Sequence, residues 1–253
     1  MDLGIDGKVA LVGGASAGIG RAIAAALVAE GATVVVSSRD PERTATAARE
    51  IGAAGHAAWS TADVDDAAVD ALIGGIEERH GPVEILVTNT GGPPIGDDPL
   101  GFDDAAWEDA HRHLVRAPMA LLRRVLPGMR ERGWGRVVNV ASTSVREPLA
   151  NLMLSNAERS AALGAFKTLA LEVAGDGVTL NTLLTGSIAT RRMAAAHGSA
   201  EAAEEHARTA VPAGRMGTPE EMAAVAAFLC SRQAAYVTGT AIPVDGGRLR
   251  GVW

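Results

Sequence analysis

The chain has 253 residues, 47% of them apolar but only 3% aromatic, so its core must be filled by Ala, Val, Leu and Ile; this size suits one doubly wound α/β domain better than two. A formal charge of −7 argues against a nucleic-acid partner, because polyanion binding needs a dense Lys/Arg face that releases phosphate counterions. A single cysteine excludes an internal disulfide, no apolar run approaches a bilayer span, and Met1 to Lys8 lack a basic-then-apolar leader, so the expectation is a cytoplasmic protein with no membrane association.

Short Val/Leu/Ile-rich runs alternate with longer Ala-rich amphipathic stretches, the order of βαβ units and hence of a parallel sheet. The first strand is expected over 8–13. It runs into Gly14-Ala15-Ser16-Ala17-Gly18-Ile19-Gly20 and a helix over 18–30 that Gly31 closes. Glycines between strand and helix let the backbone approach a diphosphate while the helix N-terminus faces its charge, which makes Gly14, Ser16, Gly18, Ile19 and Gly20 candidate cofactor ligands. The competing reading is a glycine-rich turn with no ligand. A second strand over 33–38 delivers Ser37-Ser38-Arg39 to a position where an NAD-binding protein would place a carboxylate for the ribose diol. Hydroxyls and a guanidinium suit a 2′-phosphate instead, so Ser38 and Arg39 favour NADP(H) over NAD(H), against the alternative that Arg39 is a solvated surface residue. Asp40-Pro41 reads as the N-cap and first-turn proline of a helix over 40–52.

Further strands are expected near 56–60, 84–88, 135–141, 177–184 and 241–244, and helices near 65–80, 103–130, 152–174 and 218–231. The last helix opens on Thr218-Pro219-Glu220-Glu221, a capping hydroxyl with a glutamate three residues on. Gly91-Gly92-Pro93-Pro94-Ile95-Gly96-Asp97-Asp98-Pro99 cannot be regular structure and follows a strand, which puts it at the carboxyl edge of the sheet, where ligands of such sheets bind. A second irregular region, about 186–217, is expected to form a mobile lid. No repeat or linker divides the chain, so residues 1–253 are expected to form one domain.

The GxxxGxG pattern of Gly14, Gly18 and Gly20 resembles that of the short-chain dehydrogenase/reductases, with bacterial 3-oxoacyl-carrier-protein reductases nearest in style. The likeness continues along nearly the whole chain. Asp63-Val64 resembles the family's adenine-contacting turn, and Thr88-Asn89-Thr90-Gly91 its Asn-Asn-Ala-Gly strand end. Asn139 to Ser142 is similar to the strand that presents the catalytic serine, Asn181 to Gly186 to the nicotinamide clamp, and Val237-Thr238-Gly239 through Asp245-Gly246-Gly247 to the C-terminal signature. The resemblance implies a seven-stranded, mostly parallel Rossmann sheet with helices on both faces, a small-molecule substrate, a homo-dimer or homo-tetramer, and no metal. It also implies cofactor contacts from Asp63, Val64, Asn89, Gly91, Gly186, Ile188 and Thr190.

Three family positions depart from the pattern. The tyrosine that donates a proton falls on Ser155, the lysine that tunes it on Arg159, and the asparagine of the water relay on Leu114; only Ser142 is kept. Gly13 replaces a threonine and Thr185 a proline. Leu154 to Arg159 looks like an atypical subgroup in which Ser-Asn-x-x-Arg stands for Tyr-x-x-x-Lys. A serine hydroxyl is too weak an acid to imitate a tuned phenol, and an arginine cannot shuttle protons as lysine can. Ser142, Ser155 and Arg159 remain the catalytic candidates, as donors to an oxyanion or a carboxylate; the alternative for Arg159 is a surface pair with Glu158.

His111 and His113, and His197 and His206 in the expected lid, are the other groups able to move a proton near neutrality. Tyr236 is expected to pack in the core, and Arg146 and Glu147 either line the pocket or form a solvated pair. The functional expectation is an NADP(H)-dependent oxidoreductase acting on a ketone or alcohol, a 3-oxoacyl- or polyketide-like carbonyl, with a degenerate tetrad. The alternatives are a non-redox enzyme on the same scaffold (cyclase, dehydratase or isomerase) and a catalytically silent dinucleotide-binding protein.

Overall fold

The computed structural model describes residues 2–252. Seven strands, β1 (Val9–Gly13), β2 (Thr33–Ser38), β3 (Gly55–Ala58), β4 (Ile85–Asn89), β5 (Gly135–Ser142), β6 (Val178–Thr185) and β7 (Ala241–Val244), form one sheet in the order β3-β2-β1-β4-β5-β6-β7. Every neighbouring pair is parallel. Side chains alternate across a strand, and here the alternation separates two cores. Leu11, Val35, Leu86 and Val137 pack with Ile73 of α3 (Asp66–His80), Leu122 of α5 (Ala117–Glu131) and Phe166 of α6 (Met153–Val173). Ala10, Val34, Ile85 and Val138 pack with Ile23 and Leu27 of α1 (Gly18–Ala29) and with Met222 and Leu229 of α9 (Pro219–Cys230). Covered on both faces, the central strands read as near-continuous apolar runs, as the sequence implied.

The sheet order reverses between β1 and β4, and the chain leaves these neighbours toward opposite faces. Such a switch point opens a crevice beyond the carboxyl ends of the strands. Local chemistry sets the helix starts around it. Asp40 accepts from the Arg43 N–H at 3.0 Å to begin α2 (Pro41–Ile51), and Thr218 with Glu221 forms the capping box of α9, both as the sequence indicates.

Three expectations are corrected. The helix over 103–130 is broken: α4 (Asp104–His111) passes through a π turn, Arg112–Arg116, before α5 begins. Pro118 explains the break, since it has no N–H and its ring would meet the carbonyl four residues back, that of Leu114. The ladder shifts by one residue, and the Ala117 N–H donates to Arg112 O instead. The region 186–217 is not irregular. It holds α7 (Arg191–His197) and α8 (Ala200–Ala210), each started by a hydroxyl cap, Thr190 to Met193 N–H and Ser199 to Ala202 N–H. Tyr236 is fully exposed rather than packed in the core, because its segment turns outward between α9 and β7.

Candidate functional site

A cleft of about 870 Å³ lies at the switch point, walled by Gly14, Ser16, Gly18, Ile19, Ser38, Arg39, Asn89, Gly91 and Thr190. Two glycines of the first turn have no room for a side chain. A Cβ on Gly14 (φ +57°) would sit 2.4 Å from Asn89 O, and one on Gly20 would sit 2.4 Å from Gly14 O. Asn89 Nδ2 donates to Gly14 O at 3.2 Å, which ties the turn to the end of β4. The N-cap of α1 is Ala17, which supplies no side-chain acceptor, so the N–H groups of that helix's first turn are left for an anion. A backbone cradle too tight for a Cβ, at an uncapped helix end, fits a dinucleotide diphosphate.

At the rim, Arg39 is exposed and makes no ion pair among the described residues, while the Asp40 carboxylate is occupied in capping α2. The Ser38 hydroxyl is engaged with Thr44 and with Asp40 O. Several residues expected at the cofactor do not wall the cleft. Gly20 lies beneath the turn, Val64 is buried beside an exposed Asp63, Ile188 is buried, and Gly186 abuts Asp245, 2.5 Å from where its Cβ would be.

The second cluster is held where α6 crosses β5. Ser155 lies in the first turn of α6 and Arg159 one turn on, so both share a face. Arg159 Nε donates to Ser155 Oγ at 3.1 Å and Nη1 donates to Val140 O at 3.0 Å, two residues before Ser142 at the end of β5. Ser142 Oγ in turn accepts from the Ser144 N–H at 3.1 Å. Each serine oxygen therefore receives an N–H and keeps its own proton to donate. Phe166, 2% exposed in the core below, anchors the helix that carries Ser155 and Arg159. Burial, and then the positive charge of Arg192, pushes the Arg159 guanidinium down to about 10, so it stays cationic at neutral pH.

The surface pairing of Arg159 with Glu158 is not present. Glu158 takes His111 Nδ1 at 2.8 Å, and Arg159 turns inward. Leu114, 3% exposed, sits in the π turn and presents an apolar side chain on the cleft wall. His113 bonds Thr61 at 2.6 Å and Asp109 at 3.1 Å. The rings of His197 and His206 lie 4.9 Å apart between α7 and α8. Glu147 accepts from the Arg250 N–H at 2.7 Å. Sequence reasoning missed Arg192, which walls the cleft and bonds the loop after β4. The signal available was Thr190-Arg191-Arg192, paired cations just after a residue already singled out. Among the described residues no cluster of three His, Cys, Asp or Glu could hold a metal, and no helix is long and apolar enough to cross a membrane.

Sheet order, switch-point cleft and glycine turn define a Rossmann fold. A family model described as Enoyl-(Acyl carrier protein) reductase matches residues 14–248. The chain is 36% identical to 3-oxoacyl-[acyl-carrier-protein] reductase FabG of Vibrio harveyi, over 97% of this chain and 98% of that one. It is 35% identical to a putative ketoacyl reductase of Streptomyces coelicolor, covering 96% and 97% of the two chains. L-Sorbose reductase from Gluconobacter frateurii, complexed with NADPH and L-sorbose, superposes with a TM-score of 0.93 at 33% identity over the whole of both chains. Actinorhodin polyketide ketoreductase with NADPH superposes with a TM-score of 0.89 at 33% identity, covering 96% of this chain and 98% of that one. The chain belongs to the short-chain dehydrogenase/reductase family.

Proposed function

We propose that the protein is an NADP(H)-dependent oxidoreductase that interconverts a ketone and its alcohol, with Ser142, Ser155 and Arg159 standing where the family pattern has serine, tyrosine and lysine. The observation that carries this reading is the hydrogen-bond polarity of the two serines. Both oxygens accept from N–H donors, which leaves both O–H groups free to donate, and in this reading they meet at one substrate oxygen. Bound in the cleft, the cofactor supplies hydride to the carbonyl carbon. As the C=O π pair moves onto oxygen, the Ser142 and Ser155 hydroxyls stabilise the growing charge, and the Arg159 cation behind Ser155 strengthens that donor. Neither serine is acidic enough to give up its proton, so water protonates the alkoxide.

NADP(H) is favoured over NAD(H) because Arg39 is a free guanidinium at the end of β2 and Asp40 is engaged elsewhere. NADPH in the sorbose reductase and polyketide ketoreductase structures supports the same choice, and ketoacyl reductases among the relatives support a carbonyl substrate. Gly14, Gly18 and the first turn of α1 hold the diphosphate in this reading, Gly20 letting the turn close beneath it, with Asn89, Gly91 and Thr190 along the nicotinamide half.

The test is purified protein with NADPH and a panel of ketones, followed by loss of nicotinamide absorbance. Ser142→Ala and Ser155→Ala are each expected to lower kcat about 10- to 100-fold, somewhat less than the loss of a donor from a fully formed oxyanion hole, with the NADPH Kd unmoved. Substrate conversion with no change in nicotinamide absorbance would replace the proposal with a non-redox reaction. Cofactor binding without any turnover would replace it with a silent binding protein.

A further inference from the structure

Arg159 and Arg192 are two guanidinium groups of this site that lack a counter-ion. None of the ion pairs among the described residues includes either. Arg192, in the first turn of α7, reaches across the cleft to the loop after β4. Its Nη1 donates to Gly92 O at 3.0 Å and its Nη2 to Pro93 O at 3.1 Å. The guanidinium lies so close over Gly92 that a Cβ there would meet its Cζ at 2.4 Å. A side chain here would push the guanidinium aside.

Arg159 spends Nε on Ser155 and Nη1 on Val140, leaving Nη2 without a protein acceptor among the described residues. Val140, whose carbonyl holds Arg159, lies in register with Asn89, three residues before the Gly92 whose carbonyl holds Arg192, so the two cations stand at adjoining strand ends. Burial, and then Arg192, pushes Arg159 below its ordinary value, and burial lowers Arg192 as well. Like charges held together, partly desolvated and without a carboxylate, destabilise one another. Neutral carbonyls orient them but leave that repulsion in place, whereas an anion between them removes it.

Resting on the oxidoreductase reading above, we propose that the substrate carries a carboxylate that seats between Arg159 and Arg192 while its ketone faces Ser142 and Ser155. The substrate class is then an oxo acid in the reducing direction and a hydroxy acid in the other. A planar carboxylate has two oxygens, one for the free edge of each guanidinium. A neutral ketone or a thioester would leave both cations unpaired. Arg192 is thus a specificity-determining residue that α7 contributes, and its bonds to Gly92 and Pro93 fix where the anion sits.

The experiment compares pyruvate, acetoacetate and levulinate, each with its methyl ester, in NADPH consumption and in calorimetric binding to the protein saturated with NADP+. At least one acid is expected to exceed its ester about 10- to 100-fold in kcat/KM and in affinity, the range of a charge-assisted hydrogen bond. Arg192→Gln should cut that acid-over-ester preference at least about tenfold, chiefly through KM. Arg192→Lys should restore part of it.

Equal handling of every acid and ester overturns the proposal. So does an Arg192→Gln variant whose NADPH affinity falls as far as its acid preference, because Arg192 would then serve the cofactor. If no ketone of either kind is reduced, but an acid still binds and Arg192→Gln abolishes that binding, the anion site stands and the oxidoreductase reading fails. If no acid binds better than its ester while neutral ketones are reduced, the reverse holds.

Discussion

Three alanine substitutions in the first turn separate backbone strain from overlap and show whether that turn holds the cofactor. Gly18 has φ +56°, but its Cβ would meet only the Thr190 side chain at 3.5 Å, an ordinary contact. Gly18→Ala therefore carries only the left-handed penalty of about 1–2 kcal/mol, offset in part by about 0.4–1 kcal/mol because alanine lowers the entropy of the unfolded chain. Gly20 has no positive φ, and its Cβ would fall 2.4 Å from Gly14 O and 2.6 Å from Asn89 Nδ2, so Gly20→Ala is pure overlap, about 1–3 kcal/mol. Gly14 combines both: φ +57° and a Cβ 2.4 Å from Asn89 O. Its replacement should cost about 2–5 kcal/mol as the sum of the two terms.

For a chain of this length each kcal/mol lowers Tm by about 2–4 °C, so thermal melts should rank Gly18→Ala mildest and Gly14→Ala most severe. Calorimetric titration with NADPH should follow the same order. The displaced turn no longer presents its N–H groups to the diphosphate, and about tenfold weaker binding accompanies each 1.4 kcal/mol of lost interaction. Equal destabilisation by Gly14→Ala and Gly18→Ala would refute the overlap argument. A Gly14→Ala protein with lowered Tm but unchanged NADPH affinity would show that the turn is structural only.

Removing the Arg39 guanidinium with Arg39→Ala should weaken NADPH about 10- to 100-fold and leave NADH nearly unmoved in parallel titrations; equal loss for both would remove Arg39 from the 2′-phosphate. The Arg159 cation, held down to about 10, should give kcat/KM for an acidic substrate an alkaline limb that falls as pH rises through about 10. Lysine starts from about 10.4 rather than above 12, so under the same burial Arg159→Lys should move that limb toward neutrality; a limb that stays in place would assign it to another group. Burial pushes the Cys230 thiol up to about 12 from an ordinary value near 9, against the partial opposition of Arg136. Its contribution to stability is complete below about 9 and declines between 9 and 12, where the unfolded chain ionises and the folded one does not. At pH 8 a thiol reagent should therefore label the protein only as fast as urea unfolds it, and rapid labelling of the native state would contradict the buried position.

Leu154 to Arg159 shows how far the sequence reaches into the site. The spacing puts Ser155 and Arg159 on one face of a helix, because residues four apart always are. It cannot say whether that face meets Glu158 and solvent or the edge of β5. The crossing of α6 over the sheet decides this, turning Arg159 to Val140 O while His111, 47 residues earlier than Glu158, takes the carboxylate. Pro118 lacks an N–H and crowds the Leu114 carbonyl, but Pro127 lies inside α5 with no π turn, so a proline in the sequence does not by itself place the break. The helices α7 and α8 were hidden because their caps, Thr190 and Ser199, lie in a stretch with no apolar period long enough to announce a helix.

What the amino-acid order settled by itself is everything that depends on short-range periodicity and backbone stereochemistry. Alternating apolar runs gave the parallel sheet, glycines gave the tight turn between β1 and α1, and Asp40 and Thr218 gave helix starts, since each acts within a few residues of itself. Tertiary structure alone decided which distant groups share one electrostatic environment. Arg192 meets Gly92 across 100 residues of chain, and Arg159 answers to a charge that no local pattern places near it. Coulombic and hydrogen-bond partners depend on distance in space, and that distance is fixed only once the sheet has twisted and the helices have packed.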